Sequence, residues 1–440
     1  MGAVRPAHHR LDARRAPSVR EAGVRARPRA RLGTRAHGEA ARLPHRPRLE
    51  DQLVIYLDHA ATTPLSSEAL DAMRPHLVEG PAGHAANASS THGVGRQARA
   101  AVEAARDRVA GALGVPALDV LFTSGGTEAD NQAVLGIARA ARHAGRGAHL
   151  VTTAIEHHAV LDPARWLAQR EGFDLDVVAP EPDGVVDPDR LLAHVRGDTV
   201  LVSVMAANNE LGTIQPLETL GPALAERGVP LHTDAVQAFG RMPLDVEGWG
   251  LAALSLSAHK FGGPQGVGVL VLRRDVPADP VLLGGGQERG VRSGTLNVAG
   301  IVGCGAATAA AGKRMDDEVP RLASLGRRLR EGLTSLDGVT LNGCPDRRLP
   351  HNANVAVEGC DGEALLFALD QAGVAVSAGS ACQSGAAAAS HVLEAIGARA
   401  DAAHVRLTAG ATTTSDDVEA ALTRTRDAIE RLRGGGGGYV

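Results

Sequence analysis

The stretch VLFTSGGTEADNQAV, residues 120–134, decides the fold class. It begins as a short apolar run of the kind found in buried strands. The pair Gly125–Gly126 interrupts this run, and a helical pattern follows. Thr127 and Asp130 have the spacing of a capping box at the start of that helix. A strand that passes through a glycine turn into a helix predicts one unit of an α/β protein.

The same alternation extends along the chain in both directions. Strands are predicted at 120–124, 149–153, 175–179, 199–205, 229–234, 251–257 and 267–272. Helices are predicted at 96–113, 127–143, 159–171 and 216–227. This alternation favours a mostly parallel, doubly wound sheet of seven strands, covered on both faces. Only a short loop separates the last two strands, so we expect one edge of the sheet to be antiparallel.

The pattern changes after about residue 300 and predicts a smaller α+β domain. Helices are predicted at 298–335, 361–372, 388–397 and 415–433, and strands at 338–342, 353–357 and 404–408. We therefore expect an N-terminal segment at 51–65, a large domain at 66–300 and a small domain at 301–433. Residues 434–440 form a glycine-rich tail.

Charge divides the chain unevenly. Residues 1–50 hold 13 arginines, no lysine and four acids, whereas the whole chain has a net charge of −4. This arginine-rich extension is predicted to be disordered, as a transit peptide or an upstream extension of biased composition. The remaining chain is acidic, which argues against direct binding of nucleic acid. No stretch is predicted to span a membrane, and four cysteines without paired spacing fit a reducing cytoplasm.

Lys260 occupies an unusual position in the sequence SAHKFGGPQGVG. The chain has two lysines among 46 basic residues, and Lys313 is the other. Lys260 comes three residues after a predicted strand, beside His259. A lysine in a low-dielectric pocket has a depressed pKa and can form a Schiff base. We therefore predict that Lys260 is catalytic rather than a surface lysine with a solvated amine.

Several other polar residues stand at strand ends or in loops. Asp234 ends a predicted strand, where a carboxylate is costly unless it meets a cation. His157 follows another strand, where its ring could stack on a flat cofactor, and Arg406 offers a fork for a substrate carboxylate. Cys382 lies in a loop of small residues, where a thiol is exposed. Composition alone leaves open a satisfied carboxylate at Asp234, an inert thiol at Cys382 and a purely structural glycine turn at 125–126.

The order of these motifs resembles the class V aminotransferase family of fold-type I pyridoxal-phosphate enzymes, and within it the cysteine desulfurases that feed iron–sulfur cluster assembly. The resemblance runs from about residue 54 to residue 430. It is carried by YLDHAATTP, SGGTEADN, EHHAVL, NNELG, HTDAVQ, SAHKFGGPQGVG, GGGQERGVRSGT and SAGSAC. Taken as a set, these motifs are highly specific.

The resemblance implies a pyridoxal 5'-phosphate site. Lys260 would bind the cofactor covalently, and Asp234 would keep its ring nitrogen protonated. The other cofactor contacts implied are His157 on the ring, Gln237 at the phenolic oxygen, and Gly126, Thr127, Ser257 and His259 at the phosphate, with Thr295 reaching it from the partner subunit of a homodimer. The substrate contacts implied are Asn208, Arg406 and the loop at Asn87. The catalytic residues implied are Lys260, Cys382 and His157.

The activity that the resemblance implies is the conversion of L-cysteine to L-alanine. Sulfur would pass to Cys382 as a persulfide and then to an acceptor such as an iron–sulfur scaffold or a tRNA-thiolation enzyme. No resident metal site is expected, although Cys382 could serve as a transient iron–sulfur ligand. The alternatives are a selenocysteine lyase, another class V aminotransferase, or a pyridoxal-phosphate-binding scaffold with little turnover.

Three segments depart from the family pattern. Ala388–Ala389 replace a Glu-Pro pair after the cysteine, and Ala88 replaces a proline after Asn87. Leu407 to Ala409 replace the usual residues after Arg406. Loss of the proline before SHVL is expected to loosen the catalytic loop and to affect turnover or the choice of acceptor.

Overall fold

The computed structural model of the chain describes residues 54–77, 86–378 and 390–434. The strands in chain order are β1 (Ile55–Tyr56), β2 (Val120–Thr123), β3 (His149–Thr153), β4 (Asp174–Val178), β5 (Thr199–Ser203), β6 (Leu231–Asp234), β7 (Ala253–Ser257), β8 (Gly268–Leu272), β9 (Val339–Leu341), β10 (Asn352–Val357), β11 (Val374–Ala375) and β12 (Ala403–Thr408). The helices are α1 (Ser67–Met73), α2 (Gly93–Leu113), α3 (Gly126–His143), α4 (His158–Glu171), α5 (Pro188–Ala193), α6 (Leu217–Glu226), α7 (Val298–Thr334), α8 (Gly362–Gln371), α9 (His391–Ala395) and α10 (Ser415–Gly434).

A seven-stranded sheet organises the larger part of the described chain. Its strand order is β2-β8-β7-β6-β5-β3-β4, and every pair is parallel except the two pairs that β8 makes. The predicted α/β class and the mostly parallel sheet are confirmed. The expectation of an antiparallel edge is wrong in one detail: β8 is antiparallel but lies second in the sheet, because β2 pairs with its outer side.

Alternating residues of β8 pack into two different cores. On β8, Val269 and Val271 join the cluster that includes α2, whereas Leu270 and Leu272 join the cluster beneath α3 and α4. All five residues of this strand are buried. A strand whose neighbouring side chains point to opposite faces is buried throughout only when both faces are covered. This explains why β8 is a continuous apolar run.

A third hydrophobic cluster gathers the C-terminal elements. Strands β9, β10 and β12 form an antiparallel sheet, and β1 pairs in parallel with β11. Ile55 and Leu57 pack in this cluster, so the N-terminal segment joins the C-terminal core. The domain boundary near residue 300 stays a prediction, since α7 contributes Ile301 to one core and Leu329 to another. Among the described residues, no helix combines the length and apolar character needed to cross a bilayer.

Candidate active site

A cavity of about 320 Å³ lies at the carboxyl ends of β6 and β7, where α/β sheets commonly bind ligands. Its lining is formed by Ala60, Ala61, Gly126, Thr127, Asp130, His157, Met205, Asn209, Asp234, Val236, Gln237, Ser257, His259, Lys260 and Arg406. These residues come from the N-terminal segment, four strand ends, the start of α3 and the small sheet. Nine of the residues predicted from the sequence therefore surround one space: Gly126, Thr127, His157, Asp234, Gln237, Ser257, His259, Lys260 and Arg406.

Lys260 is held at the end of a short 3-10 turn that follows β7, Ala258–Lys260. Its Nζ donates to the carbonyl oxygens of Ala60 at 2.6 Å and Ala61 at 2.7 Å. Behind the turn, the buried Arg241 donates to the carbonyl oxygen of Lys260 at 2.9 Å. The amine is therefore half-buried and directed to the N-terminal segment, and Arg241 fixes the backbone of Lys260.

Two buried carboxyl groups line the floor of the cavity. Asp234 ends β6 and accepts a hydrogen bond from the N–H of Val236 at 2.9 Å. Burial raises the pKa of Asp234 to about 6, and the positive charge of Lys260 opposes this shift. Burial and the neighbouring Asp234 raise the pKa of Asp130 well above its usual value. Buried carboxyl groups with raised pKa values in a cleft indicate a functional site.

Asp130 has a different role from the one that its spacing suggested. Helix α3 begins after Gly125 without a side-chain cap, so the predicted capping box is wrong. The Oδ1 atom of Asp130 instead lies 3.6 Å from Nε2 of His232, and both residues are buried. Sequence reasoning missed Asp130 as a lining residue because a helix-start acid has an ordinary capping interpretation.

The start of α3 forms a cradle with the end of β7. A Cβ atom added at Gly126 would lie 3.0 Å from Cγ2 of Val236 and 3.3 Å from Cβ of Ser257, so a side chain would crowd this approach. The amide groups and dipole of a helix N-terminus attract anions. His259 hydrogen-bonds Thr62 through Nδ1 at 3.0 Å, and burial lowers its pKa to about 4. His259 is therefore a neutral hydrogen-bonding group at neutral pH.

His157 is the N-cap of α4 and presents a neutral ring to the cavity. Its Nδ1 accepts the N–H of Ala159 at 3.1 Å, which leaves the ring proton on Nε2. Burial, aided by the positive charge of Lys260, lowers the pKa of His157 to about 4. A neutral, orientated imidazole can stack on a flat ring and donate one hydrogen bond.

Arg406 reaches the cavity from the small sheet. It lies on β12, its side chain is 2% exposed, and its Nη2 binds Oδ1 of Asp58 at 2.8 Å. Its Nη1 donates to the carbonyl oxygen of Asn209 at 2.8 Å. Gln237 is also fixed to the N-terminal segment, since its Nε2 donates to the carbonyl oxygen of Ala60 at 2.9 Å. The guanidinium of Arg406 is thus orientated by Asp58 and by the carbonyl oxygen of Asn209.

Three of the predicted residues that the structure describes lie outside this lining. Asn208 does not line the cavity, because its amide binds the carbonyl of Ile155 and the N–H groups of residues 210 and 211. Asn209 lines the cavity instead, so it replaces Asn208 as the candidate contact. Asn87 and Thr295 are exposed and outside this lining. Cys382 lies outside the described residues.

Comparison with known proteins identifies the family to which this fold and this site belong. Residues 55–421 match the family described as Aminotransferase class-V, and the chain belongs to this family. It is 43% identical over 381 residues to "Cysteine desulfurase IscS" of Methanosarcina thermophila, with coverage of 86% of this chain and 93% of the relative. It is 47% identical over 385 residues to "IscS-like cysteine desulfurase" of Mycobacterium tuberculosis, with coverage of 86% and 97%.

The solved structures agree with the relatives. The chain superposes on a protein titled "NIFS-LIKE PROTEIN" with a TM-score of 0.79 and 34% sequence identity, over 86% of this chain and 100% of the other. The resemblance to fold-type I enzymes that the motifs indicated is therefore confirmed.

Proposed function

We propose that the protein is a pyridoxal-phosphate-dependent cysteine desulfurase that releases L-alanine from L-cysteine and carries the sulfur on Cys382. The cysteine desulfurases among its relatives support this activity. The observation that carries the proposal is the convergence of Lys260, Asp234 and the start of α3 on one cavity. A reactive amine, a buried carboxyl group and an anion site are the groups that this cofactor requires.

The residues present fit pyridoxal phosphate. The cradle that a Cβ at Gly126 would crowd suits a phosphate, with Thr127, Ser257 and His259 around it. Asp234 would hold the proton of the pyridine nitrogen, Gln237 would meet the phenolic oxygen, and His157 would cover the ring. When bound, the cofactor withdraws electrons from the substrate carbons and acidifies the Cα–H bond.

Each residue then has a defined task in the reaction. Arg406, with Asn209 as its neighbour, would bind the substrate carboxylate and orient the Cα–H bond. The amine of Lys260, once released to its free form, would take the Cα proton and return it during the cycle. His157 would keep water from one face of the ring, and its neutral Nε2–H would stay available as a donor.

The sulfur step involves Cys382. Its thiolate would attack the sulfur of the substrate, so that an S–S bond forms as the C–S bond breaks. The electron pair left by the C–S bond ends, with one proton, in a C–H bond at Cβ. The balance is L-cysteine plus the Cys382 thiol giving L-alanine plus the Cys382 persulfide, with no external oxidant.

Both flanks of the Cys382 segment are attached beside the cavity. Ser377 exchanges backbone hydrogen bonds with Arg406, at 2.7 and 3.3 Å. Ser390 donates to Oε2 of the buried Glu210 at 2.6 Å, and Glu210 follows Asn209 directly. Cys382 is five residues from Ser377, and five residues span at most about 17 Å. Chain length therefore allows the thiol to be no farther than about this distance from Ser377.

The partners proposed are L-cysteine, a sulfur-acceptor protein and a second copy of the chain. The segment before Thr295 supports a homodimer, since Val281, Leu282 and Leu283 are exposed, the last by 79%. The cysteines at 304, 344 and 360 are free, which is consistent with the cytoplasmic location we propose.

The test is release of sulfide and alanine from L-cysteine in the presence of a thiol reductant. We expect Cys382→Ala to lose sulfide release by at least about a hundredfold while it retains the visible absorbance of lysine-bound cofactor. Cys360→Ala, in the small core, is the matched control and should behave as wild type. Full sulfide release by Cys382→Ala would exclude the persulfide route. Turnover confined to L-selenocysteine would favour a lyase instead.

A further inference from the structure

An ion pair joins the cofactor cradle to the loop of residues 284–297. Nε of Arg292 lies 2.6 Å from Oε1 of Glu128, and Nη2 lies 3.3 Å from Oε2. The two side chains are only 15% and 24% exposed, so the pair is partly shielded from water. Glu128 follows Thr127 directly in α3. The pair therefore stands beside the two residues that we assign to the phosphate.

Glu128 also closes the glycine turn. Its Oε2 accepts the N–H of Ser124 at 2.9 Å and the hydroxyl of the same residue at a shorter distance. The carboxylate thus spans Gly125–Gly126 and fixes the chain on both sides of the turn. Hydrogen bonds from Arg292 and Ser124 lower the pKa of Glu128 although burial alone would raise it. The group is consequently an anion at neutral pH.

The negative charge of Glu128 disfavours binding of a phosphate in the cradle at the start of α3. A phosphate carries negative charge, and a carboxylate one or two residues away weakens its binding through Coulomb repulsion. Arg292 supplies the compensating charge. Because Arg292 holds both carboxylate oxygens, Glu128 can shape the turn without making the cradle repulsive to phosphate.

The loop that carries Arg292 is held at a second point. Glu288 is buried and receives two hydrogen bonds from Arg106, at 2.8 and 2.9 Å. Its Oε2 also accepts the N–H of Phe122 in β2 at 2.7 Å. Glu288 and Arg289 have φ angles of 45° and 60°, which non-glycine residues rarely adopt. Such a backbone persists only where its surroundings hold it, so the position of Arg292 is well defined.

We propose that Arg292 is a positioning residue which, by neutralising Glu128, makes the turn selective for a phosphate-bearing cofactor. This inference rests on the proposed function. It assigns Arg292 no contact with the reacting atoms; the residue acts through Glu128.

The test compares two ligands on the full chain freed of cofactor: pyridoxal phosphate, and pyridoxal, which lacks the phosphate. We expect Arg292→Gln to weaken pyridoxal phosphate binding about tenfold, since it leaves a shielded carboxylate uncompensated. Binding of pyridoxal should change by less than about twofold, because no phosphate is present to be repelled.

Three variants separate charge from structure. Arg292→Lys keeps the positive charge and should stay within about threefold of wild type. Glu128→Gln removes the repulsive charge and should bind pyridoxal phosphate at least as tightly as wild type. The double variant Glu128→Gln/Arg292→Gln should recover most of the affinity that Arg292→Gln loses.

Two results would overturn the inference. One is an equal loss of pyridoxal and pyridoxal phosphate binding in Arg292→Gln, which would indicate a merely structural role. The other is a double variant as weak as Arg292→Gln alone. If the wild-type chain bound neither ligand, the proposed function itself would fail, and this outcome is distinct from both.

Discussion

The function proposed for Lys260 excludes the arginine that is found at 44 of the 46 basic positions. A guanidinium stays protonated at any physiological pH and cannot form a Schiff base, whereas a lysine amine can lose its proton and form one. The contacts of Nζ with two carbonyl oxygens of the N-terminal segment show how the amine is held ready at the cavity.

We therefore predict that Lys260→Arg abolishes covalent binding of pyridoxal phosphate and reduces sulfide release by at least about a thousandfold. Borohydride reduction followed by peptide mapping measures the covalent link directly. Lys313→Arg is the matched control, because it changes the only other lysine of the chain and should leave both readouts unaltered. A covalently labelled Lys260→Arg protein would contradict the assignment.

Glu156 is a buried carboxyl group outside the lining of the cavity. Burial raises the pKa of this carboxyl group to about 8. Its Oε1 accepts hydrogen bonds from Thr153 at 2.7 Å and from the N–H of Met205 at 2.9 Å. A group whose folded pKa lies above its unfolded pKa stabilises the fold at low pH. This stability is lost as the pH rises from about 4.5 towards 8.

We expect Glu156→Gln to become more stable than wild type by an amount that grows to about 3 kcal/mol between pH 5 and pH 8. Urea unfolding of the cofactor-free protein across this range measures the difference. Glu226→Gln, on the exposed face of α6, should show no such trend. A constant difference between Glu156→Gln and wild type would mean that Glu156 is charged throughout.

At this scale the sequence predicts some site residues and misses others for physical reasons. Asp234 and Lys260 could be found because a carboxylate at a strand end and a rare lysine are conspicuous. The sequence could not show that Asn209, and not Asn208, lines the cavity. The side chain of Asn208 is turned away because it binds the backbone of residues 155, 210 and 211. Asp130 was hidden by its ordinary position in the first turns of a helix.

The individual elements were largely predictable. All seven strands of the central sheet agree with the predicted segments to within a few residues, because each is a short segment rich in apolar or β-branched residues. The short pair β1 and β11 could not be foreseen. Ile55 pairs with Val374, more than 300 residues away, and two-residue strands carry no periodicity. The place of β8 inside the sheet likewise depends on long-range pairing with β2.

The contact between α2 and α7 depends on glycine. A Cβ atom added at Gly305 would lie 2.8 Å from both Cα and Cβ of Ala105, so the two helix backbones approach closely there. We predict that Gly305→Ala forces these helices apart and destabilises the fold by about 1–3 kcal/mol.

Gly111→Ala is the control on the same helix pair, because no atom lies within 4 Å of a Cβ at that position. This variant should be neutral or more stable by up to about 1 kcal/mol, as expected for alanine in an exposed helix. Thermal unfolding of both proteins measures the contrast. Equal stabilities would show that the helices adjust without strain.

Across the whole molecule, the cores are linked at two places. Helix α7 buries side chains in two hydrophobic clusters, and the N-terminal segment, which pairs with β11, also accepts hydrogen bonds from Gln237 and Lys260. We predict that the central sheet and the small sheet unfold in a single cooperative transition. Hydrogen exchange in denaturant should give the same opening free energy for Leu254 in β7 and Val355 in β10. Earlier exchange at Val355 alone would instead indicate independent domains.

Helix α7 also has a mechanical consequence. Pro320 lies inside its 37 residues and has no N–H to donate, so the helix lacks one hydrogen bond between its two buried ends. The portion of the helix from Pro320 to Thr334 is about 21 Å long. A bend of about 5° at Pro320 would move Thr334 by about 2 Å, which is enough to break a hydrogen bond. A rotation of this size would shift β10, which packs against α7 and pairs with the strand that carries Arg406.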